Sequence, residues 1–369
     1  MSSGDLLSAS GSDDATLLAS PVRLPCGRTV PSRLVKAAMY EGLATFPGGP
    51  PNESHFNLYT AWARGGWGMI ITGNVQVSAE HLTLGRDMIV PEKITTETIA
   101  PFRLLADAMH SSASPQTAAL ALMQLSHSGR QSPRIIGGRS FWLPPLAPSP
   151  VKMSSSGEGL LSRLFYAALF PTPREMSDHD IEHIIERFVE GAKVALDAGF
   201  DGIQLHSAHG YFLAQILSPK TNLRQPPYGY PNELNVLKKI VKRIRSFAPP
   251  AFVIGIKLNA ADYASGGLSD QHALEHVKTI AGWAGERAGV DFIEISGGDY
   301  EQPSKFVSFA AEMRMNQNVG FAICIALESL CNSSVAATSA ILSILQNGRC
   351  RSSPFTRSTL SDAHWITST

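Results

Sequence analysis

The sequence predicts a (β/α)8 barrel, an α/β fold in which parallel strands alternate with helices around a closed ring. Three observations predict it. Short apolar runs alternate with amphipathic stretches from about Leu34 to Ser296, joined by brief Gly-containing segments, which is the pattern of repeated βαβ units. The candidate strands are continuous apolar runs such as Gly68–Gly73 (GMIITG), so both of their faces are buried, as in a parallel sheet covered by helices. No GxGxxG follows an early strand, which argues against the competing doubly wound dinucleotide-binding sheet. The 369 residues hold such a barrel of roughly 250 residues with additions.

Residues 1–20 are rich in Ser, Gly and Asp and lack a basic start and a long apolar run, so they read as a mobile arm rather than a secretory leader. Val35–Met39 is the first strand, after a turn at Pro31-Ser32. Glu53–Arg64 carries Phe56, Tyr59 and Ala63 at helical spacing, and Gly65-Gly66 closes it before the strand Gly68–Gly73. A helix over Ile99–His110 and a strand over Ala118–Leu125 follow. The clearest unit opens at Ser177, which forms a capping-box pattern with Asp180. Behind it Ile181, Ile184, Ile185, Phe188, Ala192 and Leu196 form one apolar face, and Gly199 stops the helix before the strand Phe200–His206. The alternation continues with a basic helix over Asn232–Phe247, a strand over Phe252–Leu258, a helix over Asp270–Ala284 and a strand over Val290–Ser296. The barrel is thus expected to occupy residues 21–303.

Residues 304–369 form an atypical segment rich in Ser, Thr and Ala, with weak periodicity. No βα pair is legible there, so the barrel is expected to be incomplete at its last two βα units and to carry an open edge. The apolar stretch 319–345 contains one charge, Glu328, but Asn332, Ser333, Ser334, Thr338 and Ser339 interrupt it, so it reads as buried or irregular rather than membrane-spanning.

Lys plus Arg and Asp plus Glu number 31 each, and this neutrality removes any case for electrostatic capture of nucleic acid or an anionic membrane. The four cysteines (Cys26, Cys324, Cys331, Cys350) show no CxxC, which argues against a disulfide framework or a zinc or iron–sulfur site and fits a reducing, cytoplasmic compartment. The sequence does not fix the oligomeric state.

In a barrel of this kind chemistry sits where strands finish. The strand ends here are Met39-Tyr40, Gly73-Asn74, Gln124–Arg130, His206–Tyr211, Lys257–Asn259 and Ser296–Gly298. Each alone reads as a turn; six on one face of one architecture read as a site. His206 and His209, three apart, could ligate a metal, but the zinc-protease pattern needs a Glu between two helical histidines, and none is present. Two imidazole donors better suit holding a carbonyl or anionic oxygen, with Tyr211 beside them as a proton donor. No metal site is expected.

The residues then match a known family. Arg28–Met39, Gln124–Ser132, Pro173–Met176, Ala198–Gly229 (AGFDGIQLHSAHGYFLAQILSPKTNLRQPPYG), Lys257–Asn259 and Glu294–Gly298 resemble the old yellow enzyme family, over about residues 22–303. The resemblance implies a TIM barrel that binds FMN, is reduced by NAD(P)H, and reduces the activated C=C of an α,β-unsaturated carbonyl compound. By position it implies Ala38 and Met39 against the flavin, Asn74 and Gln124 on its pyrimidine edge, and Lys257 near N1 and O2, where positive charge stabilises anionic reduced flavin. It implies His206 and His209 on the substrate oxygen, Tyr211 as proton donor, and Arg224 as a loop anchor. Tyr40 stands where relatives often carry Cys or Thr. Beyond Tyr300 the Gly- and Arg-bearing loops that hold the FMN phosphate are not legible, and Arg314, Arg349 and Arg351 sit in no strand-to-helix joint. The alternative is a truncated or defective homologue that binds FMN weakly and does not catalyse; a metal-dependent hydrolase on the same barrel lacks its ligand set.

Overall fold

The computed structural model describes residues 16, 18–112, 118–153, 160–262, 265–286, 288–297, 322–327 and 340–345. Eight strands form its ring: β1 (Leu34–Lys36), β2 (Met69–Gln76), β3 (Leu120–Ser126), β4 (Gly202–Ser207), β5 (Val253–Asn259), β6 (Phe292–Ser296), β7 (Ala322–Leu327) and β8 (Ala340–Leu345). They pair in chain order, and β8 returns to β1. β1 to β7 are mutually parallel. β8 is antiparallel to both neighbours, with Ile344 opposite Ile323 and Ile341 opposite Val35.

This is the expected (β/α)8 barrel, and its incompleteness has a definite form. The last two staves are present, but β8 runs the wrong way for a βα unit, and among the described residues no helix follows β6. The open edge expected from the sequence is corrected: the ring closes through β8. The physical reason is that AICIAL and AILSIL are apolar runs whose backbone groups are satisfied by pairing on both sides. Antiparallel neighbours also need no crossover between them, unlike a parallel pair.

Seven α-helices are found among the described residues: α1 (Glu53–Ala63), α2 (Thr96–His110), α3 (Leu160–Leu169), α4 (Asp178–Ala198), α5 (Phe212–Leu217), α6 (Asn235–Arg245) and α7 (Asp270–Ala281). α1, α2, α4, α6 and α7 are the crossovers after β1 to β5, while α3 and α5 are additions on the loops after β3 and β4. The α4 cap forms as read: the Ser177 hydroxyl accepts from the Asp180 amide, and the Asp180 carboxylate accepts from the Ser177 amide at 2.8 Å. Gly199 closes α4 in the left-handed conformation at φ 89°, which a side chain would oppose.

The main core lies between strands and helices, where Ile70, Met123, Ile203, Ile254 and Ile293 meet Phe102, Phe188 and Ile240. A second cluster fills the barrel floor with Val35, Met69, Ile71, Leu122, Val253 and Phe292, beneath Leu24 and Val30 of an N-terminal hairpin. A Cβ at Gly255 would strike the Phe292 ring, so the strand must be bare there. Among the described residues no helix is long and apolar enough to cross a membrane.

Candidate active site

The sequence-predicted residues gather at the C-terminal ends of the parallel strands. Strand register explains how. Asn74 is level with Gln124, Gln124 with Gln204, and Lys257 with both His206 and Glu294, so their side chains stand in rows at one end of the barrel. One row is a buried polar chain. Gln124 Nε2 donates to Gln204 Oε1 at 2.6 Å, Gln204 Nε2 donates to Glu294 Oε2 at 2.7 Å, and Lys257 Nζ lies 3.0 Å from Glu294 Oε1. All four residues are at most 2% exposed, so the charges of Lys257 and Glu294 are held by each other and the amides rather than by water.

The loop after β4 supplies the second group. His206 is the penultimate residue of β4, and its ring is edge-on to His209 and Tyr211, with centroids 5.0 and 4.6 Å away. His206 Nδ1 accepts from the Ala208 amide at 3.3 Å, which puts the ring proton on Nε2. His209 has φ 58°, a left-handed value seen at no other non-glycine among the described residues. That turn is held from three sides. The His209 amide donates to Asn259 Oδ1 at 2.9 Å, its carbonyl accepts from Gln131 Nε2 at 2.8 Å, and its Nε2 meets Ser296 Oγ at 2.7 Å. Burial holds both imidazoles well below their usual range; His209 beside His206, and Lys257 beside both, push the same way. They are neutral donors at physiological pH. Tyr211 caps α5, and its hydroxyl accepts from Asn74 Nδ2 at 3.4 Å, which links β2 to the histidine loop.

Ala38 follows β1 and is buried beside partly buried Met39, whose carbonyl faces Gly73 within β2. His127 and Arg130 belong to the surrounding framework. His127 stacks on His81 with centroids 4.4 Å apart, and Arg130 donates to the Val151 and Lys152 carbonyls at 3.3 Å. Arg224 ties its loop to the start of α4 through Asp178 at 2.5 Å and Glu175 at 3.2 Å. Sequence reading missed Gln204 and Glu294, and also Lys36, Glu41 and Tyr59 behind β1 and β2. A charge inside an apolar run, as in FIEIS and LVKAAM, was the available signal. Among the described residues no three His, Cys, Asp or Glu side chains gather as a metal site.

The profile of the NADH:flavin oxidoreductase / NADH oxidase family matches residues 19–367. The chain belongs to that family. It is 39% identical over 291 residues to the NADH-dependent flavin oxidoreductase iliE of Neonectria sp. (strain DH2), covering 78% of this chain and 36% of that protein. It is 37% identical over 297 residues to the NADH-dependent flavin oxidoreductase iccE of Talaromyces variabilis, covering 79% and 68%. This family member therefore spans about a third of the first relative's length and two thirds of the second's. Among solved structures, the old yellow enzyme homologue from Zymomonas mobilis superposes with TM-score 0.66 at 21% identity, over 85% of this chain and 82% of that one. Morphinone reductase in complex with tetrahydroNAD superposes with TM-score 0.63 at 22% identity, over 84% and 81%. These likenesses establish the barrel.

The donor set fits the flavin such a family is named for. A flavin ring presents alternating N–H, N and C=O groups along one edge, and the barrel mouth offers two registered carboxamides, Asn74 and Gln124, with a buried ammonium at Lys257. Small Ala38 adds no side-chain bulk beyond Cβ at the end of β1.

Proposed function

We propose that this chain is an FMN-dependent oxidoreductase that accepts hydride from NAD(P)H and reduces the activated C=C of an α,β-unsaturated carbonyl compound. One observation carries the reading: two neutral imidazoles, one buried and one partly buried, and a phenol converge beside a row of carboxamides ending in a buried lysine. The relatives' names, NADH-dependent flavin oxidoreductases, support NADH as reductant. FMN, when bound, supplies the carrier that takes and gives the hydride.

Each residue then has a task. Ala38, Met39, Asn74, Gln124 and Lys257 would hold the ring, and Lys257 would bring positive charge to its edge. Glu294 offsets part of that charge. His206 and His209 donate to the substrate's carbonyl oxygen, and because both stay neutral they withdraw electron density without fixing a full proton on it. Tyr211 delivers the proton to the α-carbon, its hydroxyl held by Asn74. Purified protein should be yellow, bleach anaerobically with NADH, and regain colour on adding 2-cyclohexenone. A protein that bleaches but is not reoxidised by any enone would overturn the substrate class.

A second reading, a homologue with weak FMN affinity, is favoured by the antiparallel β8. The phosphate of such a cofactor is ordinarily held by the last βα loops and a helix N-terminus, and the β7–β8 pair has the topology of a hairpin rather than a βα unit. Arg314, Arg349 and Arg351 lie outside the described residues. Stoichiometric FMN retained through gel filtration would exclude this reading; a colourless preparation would favour it.

A further inference from the structure

The parallel ladder between β2 and β3 breaks at one point: register slips between Ile71 and Asn74, leaving Thr72-Gly73 as a bulge. The bulge is held by groups from outside the ladder. The Gly73 amide donates to Glu41 Oε1 and to Tyr59 Oη, each at 2.9 Å. The Tyr59 hydroxyl in turn donates to Glu41 Oε1. On the other side, Thr72 Oγ1 accepts the Gln124 amide at 3.0 Å, so the side chain completes a hydrogen bond that the displaced backbone would otherwise leave. Past the bulge Asn74 is again level with Gln124. A Cβ at Gly73 would collide with Glu41 Oε2 and the Met39 carbonyl, so this joint demands glycine for space.

We propose that Glu41 and Tyr59 are positioning residues, a clamp that holds the Thr72-Gly73 bulge and thereby sets where Asn74 stands in the flavin-binding mouth. The proposal rests on the functional reading above for its effect on FMN, but not for the clamp itself. The clamp joins three elements. Glu41 follows β1 and the flavin-facing Ala38-Met39, Tyr59 comes from α1, and Gly73 belongs to β2. It therefore couples the segment that follows β1 to the bulge that precedes Asn74 in β2. The clamp is anchored from below by Lys36, whose ammonium stands 3.9 Å from the Trp62 ring centroid and 5.3 Å from that of Tyr59. Tyr59 is fully buried, so its hydroxyl has no water to fall back on. Burial raises the Glu41 carboxyl above its ordinary range, and Lys36 together with the hydrogen bonds from Tyr59 and Gly73 opposes that rise.

The test compares Tyr59→Phe, Glu41→Leu and the conservative Glu41→Gln with the parent in the full chain. Hydrogen–deuterium exchange across β2 reads the bulge directly, FMN fluorescence quenching reads the dissociation constant, and thermal melting reads the fold. Tyr59→Phe and Glu41→Leu should speed exchange at Gly73-Asn74 about tenfold and weaken FMN binding roughly tenfold, with Glu41→Gln restoring both to within about threefold because its amide oxygen still accepts. Tyr59→Phe keeps the ring under Lys36, so it serves if Glu41→Leu does not fold. Parent-like exchange in Tyr59→Phe, or equal loss in the Glu41→Gln and Glu41→Leu variants, would overturn the clamp. A parent that takes up no FMN overturns the functional reading, and the exchange measurement still decides the clamp.

Discussion

Removing one member of the Lys257–Glu294 pair should be far more harmful than removing both. The two groups are 3.0 Å apart with exposures of 2% and 0%. At an effective dielectric of about 20 their attraction is about 5 kcal/mol, and neither has solvent to replace the other. Glu294→Gln leaves a buried ammonium uncompensated, while Lys257→Met leaves a buried carboxylate; each should cost about 3–5 kcal/mol. Lys257→Met combined with Glu294→Gln removes both charges, and the amide oxygen introduced at position 294 can still accept from Gln204, as Glu294 does at 2.7 Å in the parent. The double variant should lie within about 2 kcal/mol of the parent, giving a coupling energy of about 4 kcal/mol or more. Urea unfolding followed by circular dichroism on parent, singles and double measures this. Additivity to within about 0.5 kcal/mol would show that the pair contributes nothing beyond packing and would refute the reasoning. In FMN-loaded protein the same Glu294→Gln change should raise the flavin midpoint potential, since it uncovers positive charge near the ring; spectroelectrochemistry reads the sign.

Replacing His206 or His209 with Ala should lower enone reduction on the order of 10²-fold while leaving flavin reduction by NADH much less affected, as stopped-flow half-reactions would resolve. Tyr211→Phe should still accept hydride but slow the oxidative half-reaction, most for weakly activated alkenes; equal slowing of both halves would make Tyr211 structural. Stability should fall on acidification, because burial lowers His55 to about 4 and His127 to about 3 from an ordinary 6.5. The unfolded chain takes up those protons first, so stability is full above about pH 6.5 and is lost towards pH 3; a melting temperature flat across that window would contradict this. Lys36, lowered by burial to about 7 from 10.5, works in the alkaline range. The cost of burying its charge is full below about pH 7 and vanishes above about 10.5, so Lys36→Met should raise the melting temperature more at about pH 6 than at about pH 9.5.

Much of the barrel was legible because its signals are local. The α4 unit announced itself through Ser177, the Ile184–Phe188 face and Gly199, and the strand ends followed from where apolar runs stop. The His206–Tyr211 block stands out in the sequence because three candidate residues fall within six consecutive positions. The clamp was not, since Glu41, Tyr59 and Gly73 lie on three elements and only the fold brings them together. Nor does periodicity say that β2 slips at Thr72-Gly73, since a bulge changes pairing without changing composition. The sense of β8 was equally hidden: an apolar run such as AILSIL has no direction, and its pairing partners choose one.

The left-handed backbone at His209 also limits what variation can offer there. His206 lies within a regular strand, where any residue of fitting size can be tried. At position 209 the backbone filters candidates before chemistry does: β-branched Val, Ile and Thr are excluded on steric grounds, and Gly is easy but carries no donor. Asn passes both filters, since it tolerates this conformation and brings an amide N–H. The two halves of the proposed oxygen-holding pair therefore stand under unequal constraints, and a library randomised at both positions should retain activity with few residues besides His and Asn at 209, whatever it accepts at 206.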